Sequence, residues 1–183
     1  MIGAALLGIA TWSVLEYAIH RWLGHDKRWI RNVFGVEHTA HHARGHYFAP
    51  TWKKGLAAVI VAGVAIGPAV AVAGPSLGGA YVAGFVGFYL TYELIHRLNH
   101  THAGWGPYGR WARRHHFWHH FHDPKANFGV TSPVWDVVFG TRVVPGRVLV
   151  PERLAMPWLV DPATGEVRAG LAEMYGLRRV KGD

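Results

Sequence analysis

Two long stretches of the chain are almost free of charge, and the polar residues are arranged around them. From Met1 to Ile19 the only charged residue is Glu16, and from Gly55 to Ile95 it is Glu93. Gly74-Pro75 divides the second stretch into Leu56–Ala73 and Leu77–Ile95, of 18 and 19 residues. As helix each piece is about 27–29 Å long, enough for the hydrocarbon core of a bilayer. Neither stretch carries the polar face of a surface helix. The pattern predicts an all-α integral membrane bundle of about three transmembrane helices. A buried helical hairpin in a soluble protein is the alternative. Met1–Ile19 lacks the basic start of a signal peptide and runs straight into HRWLGH, so it counts as the first span. Glycines such as Gly63 and Gly67, or Gly84 and Gly87, suit close approach of membrane helices.

The basic residues give an orientation. All 19 Lys and Arg lie in Arg21–Lys54 or after Ile95, the two stretches that three spans put on one side. By the positive-inside rule that side is cytoplasmic, with the N-terminus and the Gly74-Pro75 turn outside. Nine of the 11 acidic residues share it, so the face is net positive. On a membrane protein such a face meets anionic headgroups, and no nucleic-acid partner is expected. Trp22, Trp29, Trp52, Trp105 and Trp111 flank the spans, where interfacial tryptophans belong.

Composition narrows the chemistry. At 183 residues the chain has one domain's worth of length. It has no cysteine, which excludes disulfide scaffolds, thiolate metal sites and a cysteine nucleophile. Its three serines, Ser13, Ser76 and Ser132, sit in no nucleophile-elbow pattern. The 14 histidines all fall between His20 and His122, on the basic side or at its boundary.

Their spacing is ordered. HRWLGH (His20, His25) and HTAHH (His38, His41, His42) form a first set; HRLNH (His96, His100) and HFWHH (His116, His119, His120) form a second. Each set begins at the end of a span with a carboxylate before it, Glu16 before His20 and Glu93 before His96. The chain therefore holds a weak internal repeat. In H-x-x-H-H the first ring has partners at i+3 and i+4, which straddle it on one helical face, and His96 and His100 likewise share a face. His20 and His25, five apart, do not on a regular helix, so the helix is expected to end or distort near Gly24. Ten imidazoles suit two ions of about five ligands each. They favour iron, zinc, copper or nickel over Mg²⁺ or Ca²⁺. His46, His102, His115 and His122 have no counterpart in the repeat and are read as substrate-facing, structural or supporting the ligands. Glu16 and Glu93 are candidates to orient ligand rings by accepting their N–H groups; pairing with Arg21 is the plainer role for Glu16. Asp136, in VWDVVFG, is a candidate to cap local backbone or support the site.

In the order of these four motifs, with a hydrophobic hairpin between the second and third, the sequence resembles the fatty acid hydroxylase/sterol desaturase superfamily of integral membrane oxygenases. The resemblance covers roughly Trp12 to Thr141. Asn127–Thr141, NFGVTSPVWDVVFGT, is similar to the segment after the last histidine box in fatty acid 2-hydroxylases. It implies a dinuclear non-haem iron site that uses O₂ to oxidise an unactivated C–H bond of a lipid. The resemblance implies, too, that zinc is able to replace iron in purified protein. It also implies that one histidine of each H-x-x-H-H motif crosses over. His20, His25, His38, His42 and His119 would then hold one ion, and His41, His96, His100, His116 and His120 the other. No haem-binding segment is present in these residues. Electrons are therefore expected from a separate reductase, ferredoxin or b-type cytochrome.

The reading is thus a membrane-embedded unit, residues 1–141, followed by a cytoplasmic tail, 142–183, packed on the catalytic face. Leu171–Leu177 is read as a short helix within that tail. The expected activity is hydroxylation or desaturation of a lipid, a fatty acyl chain first. A carotenoid β-ring hydroxylase is the alternative within the superfamily, since compact members share such boxes. A histidine-rich membrane metal transporter is the alternative outside it. A transporter would place ionisable residues deep in its spans, and here those interiors are bare.

Overall fold

The computed structural model describes residues 1–29, 31–104 and 106–179. Helix α1 (Ile2–Ala18) runs on into a π-helical segment, Ile19–Gly24. It is followed by α2 (Val33–Arg44), α3 (Thr51–Thr101), α4 (Gly106–Phe121) and the short α5 (Val134–Val138). Strands β1 (Val148–Pro151) and β2 (Tyr175–Arg178) pair in parallel, Val148 opposite Tyr175.

Among the described residues two helices, not three, are long and apolar enough to cross a membrane: Ile2–Gly24 and Thr51–Thr101. The difference lies at Gly74. There φ is 77° and ψ 166°, a conformation glycine reaches without Cβ strain, and the helical element of 51 residues bends through it. The chain doubles back at this point. A Cβ on Gly78 would come within 2.7 Å of the Ala69 backbone. At the far end the Tyr89 hydroxyl donates to the Lys54 carbonyl at 3.1 Å, and Lys54 pairs with Glu93. Helix α3 is therefore a pair of antiparallel limbs.

Helix α1 lies along the second limb through glycine. A Cβ at Gly8 would meet the Tyr81 carbonyl oxygen at 2.1 Å, and one at Gly84 the Ala5 oxygen at 2.1 Å. Gly63, Gly67 and Gly87 face open space, so of the expected glycines only Gly84 lies at a helix contact. Trp12 seals the interface edge-on to Phe85 and Tyr89, at 5.4 and 4.8 Å. The outward faces are apolar, with Leu6, Leu7, Val59, Ile60, Val64, Val72 and Leu90 exposed. The most apolar window of α3 has no buried residue, the reverse of a soluble core hairpin. The fold is that of a membrane-associated helical protein. Trp22, Trp29 and Trp52 are exposed, whereas Trp111 is half-buried against the His115 ring. Trp105 lies outside the described residues.

The tail adds a detail and corrects one expectation. It contains a two-stranded sheet within an otherwise helical fold. The helix expected at Leu171–Leu177 is a 3₁₀ turn, Ala169–Leu171, followed by β2. Extended backbone lets Tyr175 bury beside Val148, Val150, Met156 and Leu159, against Phe117 and Phe121 of α4. The Tyr175 hydroxyl then accepts from Arg113 Nε at 3.0 Å, and that guanidinium lies 4.4 Å over the Trp158 ring. A seven-residue stretch is too short for its periodicity to separate the two outcomes. Residues 180–183 of the tail lie outside the described residues.

Candidate metal centre

Each histidine motif is placed by a local feature of its helix. Between His20 and His25 the helix does distort: the i→i+5 bonding of Ile19–Gly24 widens the turn so that residues five apart return to one face. The two rings are 5.2 Å apart. Gly24 allows α2 to approach, since a Cβ there would come within 3.0 Å of the His38 ring. Helix α2 starts at Asn32, whose side chain caps Gly35 N at 3.0 Å, and stops at Gly45 with φ 63°. Helix α3 delivers His96 and His100 from its last two turns, and α4 delivers the final motif.

The ten rings fall into two groups of five. His20, His25, His38, His42 and His119 present ring nitrogens within 4.8 Å of one another, and so do His41, His96, His100, His116 and His120. In both H-x-x-H-H motifs the i and i+4 rings turn to one group and the i+3 ring, His41 or His119, to the other. The groups abut where His42 and His120 stack at 3.9 Å.

The hydrogen-bonding pattern fits cations. His20 Nδ1 lies 2.5 Å from Phe128 O, His41 Nδ1 2.6 Å from Tyr47 O, and His119 Nδ1 2.8 Å from Ala126 O. A carbonyl only accepts, so these rings carry their proton on Nδ1 and leave Nε2 bare. Yet His119 Nε2 and His38 Nε2 both lie 2.8 Å from His25 Nε2. His41 Nε2 is 3.0 Å from His96 Nε2, and His100 Nε2 is 3.0 Å from His116 Nε2. One neutral His25 cannot donate to two neighbours. Among the described residues the buried Nε2 atoms of His20, His42 and His120 have no partner. Nitrogens about 2.0–2.1 Å from a shared ion and at right angles about it are about 2.8–3.0 Å apart. The observed separations match.

Electrostatics prepares the same chemistry. Burial pushes His25 and His41 down to about 4 and holds His38, His42, His116, His119 and His120 well below the usual imidazole value, with neighbouring rings adding to the effect for these five. The rings are neutral near pH 7, the form that ligates.

The other anticipated residues separate into three kinds. Glu16 is buried and binds no arginine among the described residues; it accepts from Val130 N, Thr131 N and Thr131 Oγ1 at 2.7, 2.9 and 2.8 Å. Asp136 accepts from Phe128 N, Gly129 N and Thr141 Oγ1 at 2.8, 2.9 and 2.7 Å, and His115 Nε2 lies 3.1 Å away. Burial opposes its ionisation, but the bonds from His115, Thr141 and Gly129 prevail and hold the carboxyl below its usual value. Glu93 pairs with Lys54 and not with a ligand ring. His46, His102 and His122 are exposed; His102 bonds Thr101 Oγ1, and His122 accepts from Leu149 N.

The sequence reading missed a second polar set. Glu37 pairs with Lys53 at 2.6 Å and accepts a hydrogen bond from the Tyr47 hydroxyl, and both ion pairs line a cavity of about 400 Å³. Its wall also includes Glu16 and the apolar Trp12, Phe48, Val61, Phe85 and Val86, and it reaches His38, His41 and His96, rings from both groups. Carboxylates before a span are common enough that Glu37 carried no distinctive signal.

A family model described as fatty acid hydroxylase matches residues 5–141. The dihydroceramide fatty acyl 2-hydroxylase FAH1 of Arabidopsis thaliana is 30% identical over 149 residues, 77% of this chain and 61% of that protein. The fatty acid 2-hydroxylase of Macaca fascicularis is also 30% identical, over 77% of this chain and 40% of its own length. A solved structure of full-length scs7p, in which only the hydroxylase domain is visible, superposes with a TM-score of 0.60 at 28% identity, covering 79% of this chain and 58% of that one. The chain spans at most about six tenths of the length of these relatives.

Proposed function

This chain belongs to the fatty acid hydroxylase family, and from that premise we propose that it is a membrane-bound oxygenase that hydroxylates a lipid acyl chain. The observation that carries the reading is an apolar cavity among the membrane helices whose wall contains rings of both five-histidine groups. The first group would hold one iron ion and the second another, with zinc able to take their place. Such a pair supplies, when bound, the reduction of O₂ and the oxidation of a C–H bond, with electrons from a separate reductase, ferredoxin or b-type cytochrome.

The chain's own part is binding and orientation. Trp12, Val61, Phe85 and Val86 offer a hydrocarbon chain a dry wall. The Lys53–Glu37 and Lys54–Glu93 pairs give its polar end hydrogen-bonding partners. Held between them, one carbon is fixed against the histidine groups, and that placement decides hydroxylation against desaturation. In this reading Ile2–Gly24 crosses the bilayer once and the two limbs of α3 cross it twice, putting the histidines and the C-terminus in the cytoplasm. Residues 1–141 are the catalytic unit, and 142–183 a tail that closes over α4.

Mass spectrometry of lipids from cells expressing the protein or its His119→Ala variant tests the activity. A hydroxylated acyl species present only with the unsubstituted chain is expected. A new hydroxyl confined to carotenoid rings, or no new oxygenated lipid, contradicts the proposal.

A further inference from the structure

Two buried carboxylates grip one loop from opposite sides. Glu16, reaching across from α1, binds its far end at Val130 and Thr131; Asp136, from α5, binds Phe128 and Gly129. Both are nearly inaccessible, at 4% and 0% exposure, and neither pairs with a lysine or arginine among the described residues. Every group facing them is a donor. Asp136 meets four such groups, which only a carboxylate with both oxygens free to accept can satisfy. Asn127 opens the loop with φ 58°, unusual for a side-chain-bearing residue, and its Oδ1 accepts from Val143 N at 2.8 Å.

What the loop turns inward is its carbonyls. Phe128 donates its N–H to Asp136 while its carbonyl accepts from His20 Nδ1, and the Ala126 carbonyl accepts from His119 Nδ1. Both rings belong to the first group. The second group is braced elsewhere: His41 Nδ1 bonds Tyr47 O, and Tyr47 is tied through its hydroxyl to Glu37 in the cavity wall. We propose that Glu16 and Asp136 are positioning residues for one ion of the two, acting through the Phe128 and Ala126 carbonyls on His20 and His119. The inference rests on reading the histidine groups as a two-ion centre. The two sites then differ in their bracing: His20 and His119 lean on the carbonyls of a buried loop held by Glu16 and Asp136, and His41 on Tyr47, which is tied to Glu37.

The variants follow from the donor count. Glu16→Gln keeps an oxygen for the two N–H groups and turns its amide to Thr131 Oγ1, whereas Glu16→Leu keeps nothing. Asp136→Asn sets an N–H against a donor at one of its two oxygen positions. Full-length protein in detergent, loaded anaerobically with Co²⁺ and desalted, is assayed for metal per chain and for its visible spectrum, with thermal unfolding recorded. Two ions are expected for the unsubstituted chain and Glu16→Gln, and one for Glu16→Leu. The residual spectrum of Glu16→Leu should match that of His119→Ala and differ from that of His41→Ala. Asp136→Asn, the milder change, should release one of its two ions to a chelator about 10–100-fold more readily and the other unchanged. Retention of both ions with unaltered affinity in Glu16→Leu and Asp136→Asn overturns the inference, as does equal weakening of both ions in folded protein. An unsubstituted chain that takes up fewer than two ions overturns the two-ion reading itself.

Discussion

The clustered imidazoles are kept neutral by burial, and the consequence is a pH dependence with a definite sign. His25 and His41 titrate near 4 in the fold, against about 6.5 for a free imidazole. As pH falls from 6.5 towards 4 the unfolded chain takes up protons on these residues and the folded chain does not, so metal-free protein loses stability across that window. Urea midpoints of apo protein at pH 7.5, 6 and 5 should fall in that order; a rise on acidification contradicts the account. A second outcome separates the histidines by place. His41→Ala should abolish activity by at least about 100-fold, whereas His46→Ala and His102→Ala, both exposed, should stay within about twofold of the unsubstituted enzyme in a hydroxylation assay. At this scale the i, i+3 and i+4 spacings showed which rings share a helical face, whereas the crossing of His41 and His119 between the groups was implied by the family resemblance and not by spacing. The Phe128 and Ala126 carbonyls that receive His20 and His119 were not. Backbone oxygens carry no signature in the sequence, and it is long-range contacts such as those of Glu16 and Tyr108 that show where the loop lies.

Among the elements, the π-helical turn and the glycine contacts do most to position the centre. The spacing of His20 and His25 announced an end or a distortion near Gly24, and the π-helical Ile19–Gly24, capped by His25, supplies both. The packing of α1 on α3 depends on Gly8 and Gly84, where an added Cβ has 2.1 Å to the opposing carbonyl. Gly8→Leu should push the helices apart at a cost of at least about 1–3 kcal/mol, read as a lower unfolding midpoint in detergent. Gly63→Leu, facing open space, should leave the midpoint unchanged. Equal effects of the two would contradict the packing. Gly84 was among the glycines picked out by spacing, but Gly8 and Gly78 were not, since apolar sequence alone does not say which face of a span meets its neighbour. The same gap explains β2. Tyr175 turns inward for the sake of Arg113 and Phe117, partners about 60 residues away in sequence that local periodicity does not register.

For the molecule as a whole, charge asymmetry and fold describe one arrangement: apolar helices bare on their outer faces, and a polar end that holds the histidines. The chain has no native cysteine, so Ser76→Cys at the Gly74 bend and Thr164→Cys in the tail each provide a unique label. The proposed topology requires that impermeant maleimide reach them from opposite sides of the membrane, and labelling from one side would refute it. The cavity joins the two parts of the arrangement, because its apolar wall lies among the membrane helices and its far wall is built from both histidine groups. The most direct measurement is therefore turnover under ¹⁸O₂ in membranes reconstituted with the iron-loaded protein and a reductant chain. The account predicts ¹⁸O in the hydroxyl of an acyl chain, lost in His119→Ala. Label absent from every lipid, with metal moving across sealed vesicles instead, would contradict it.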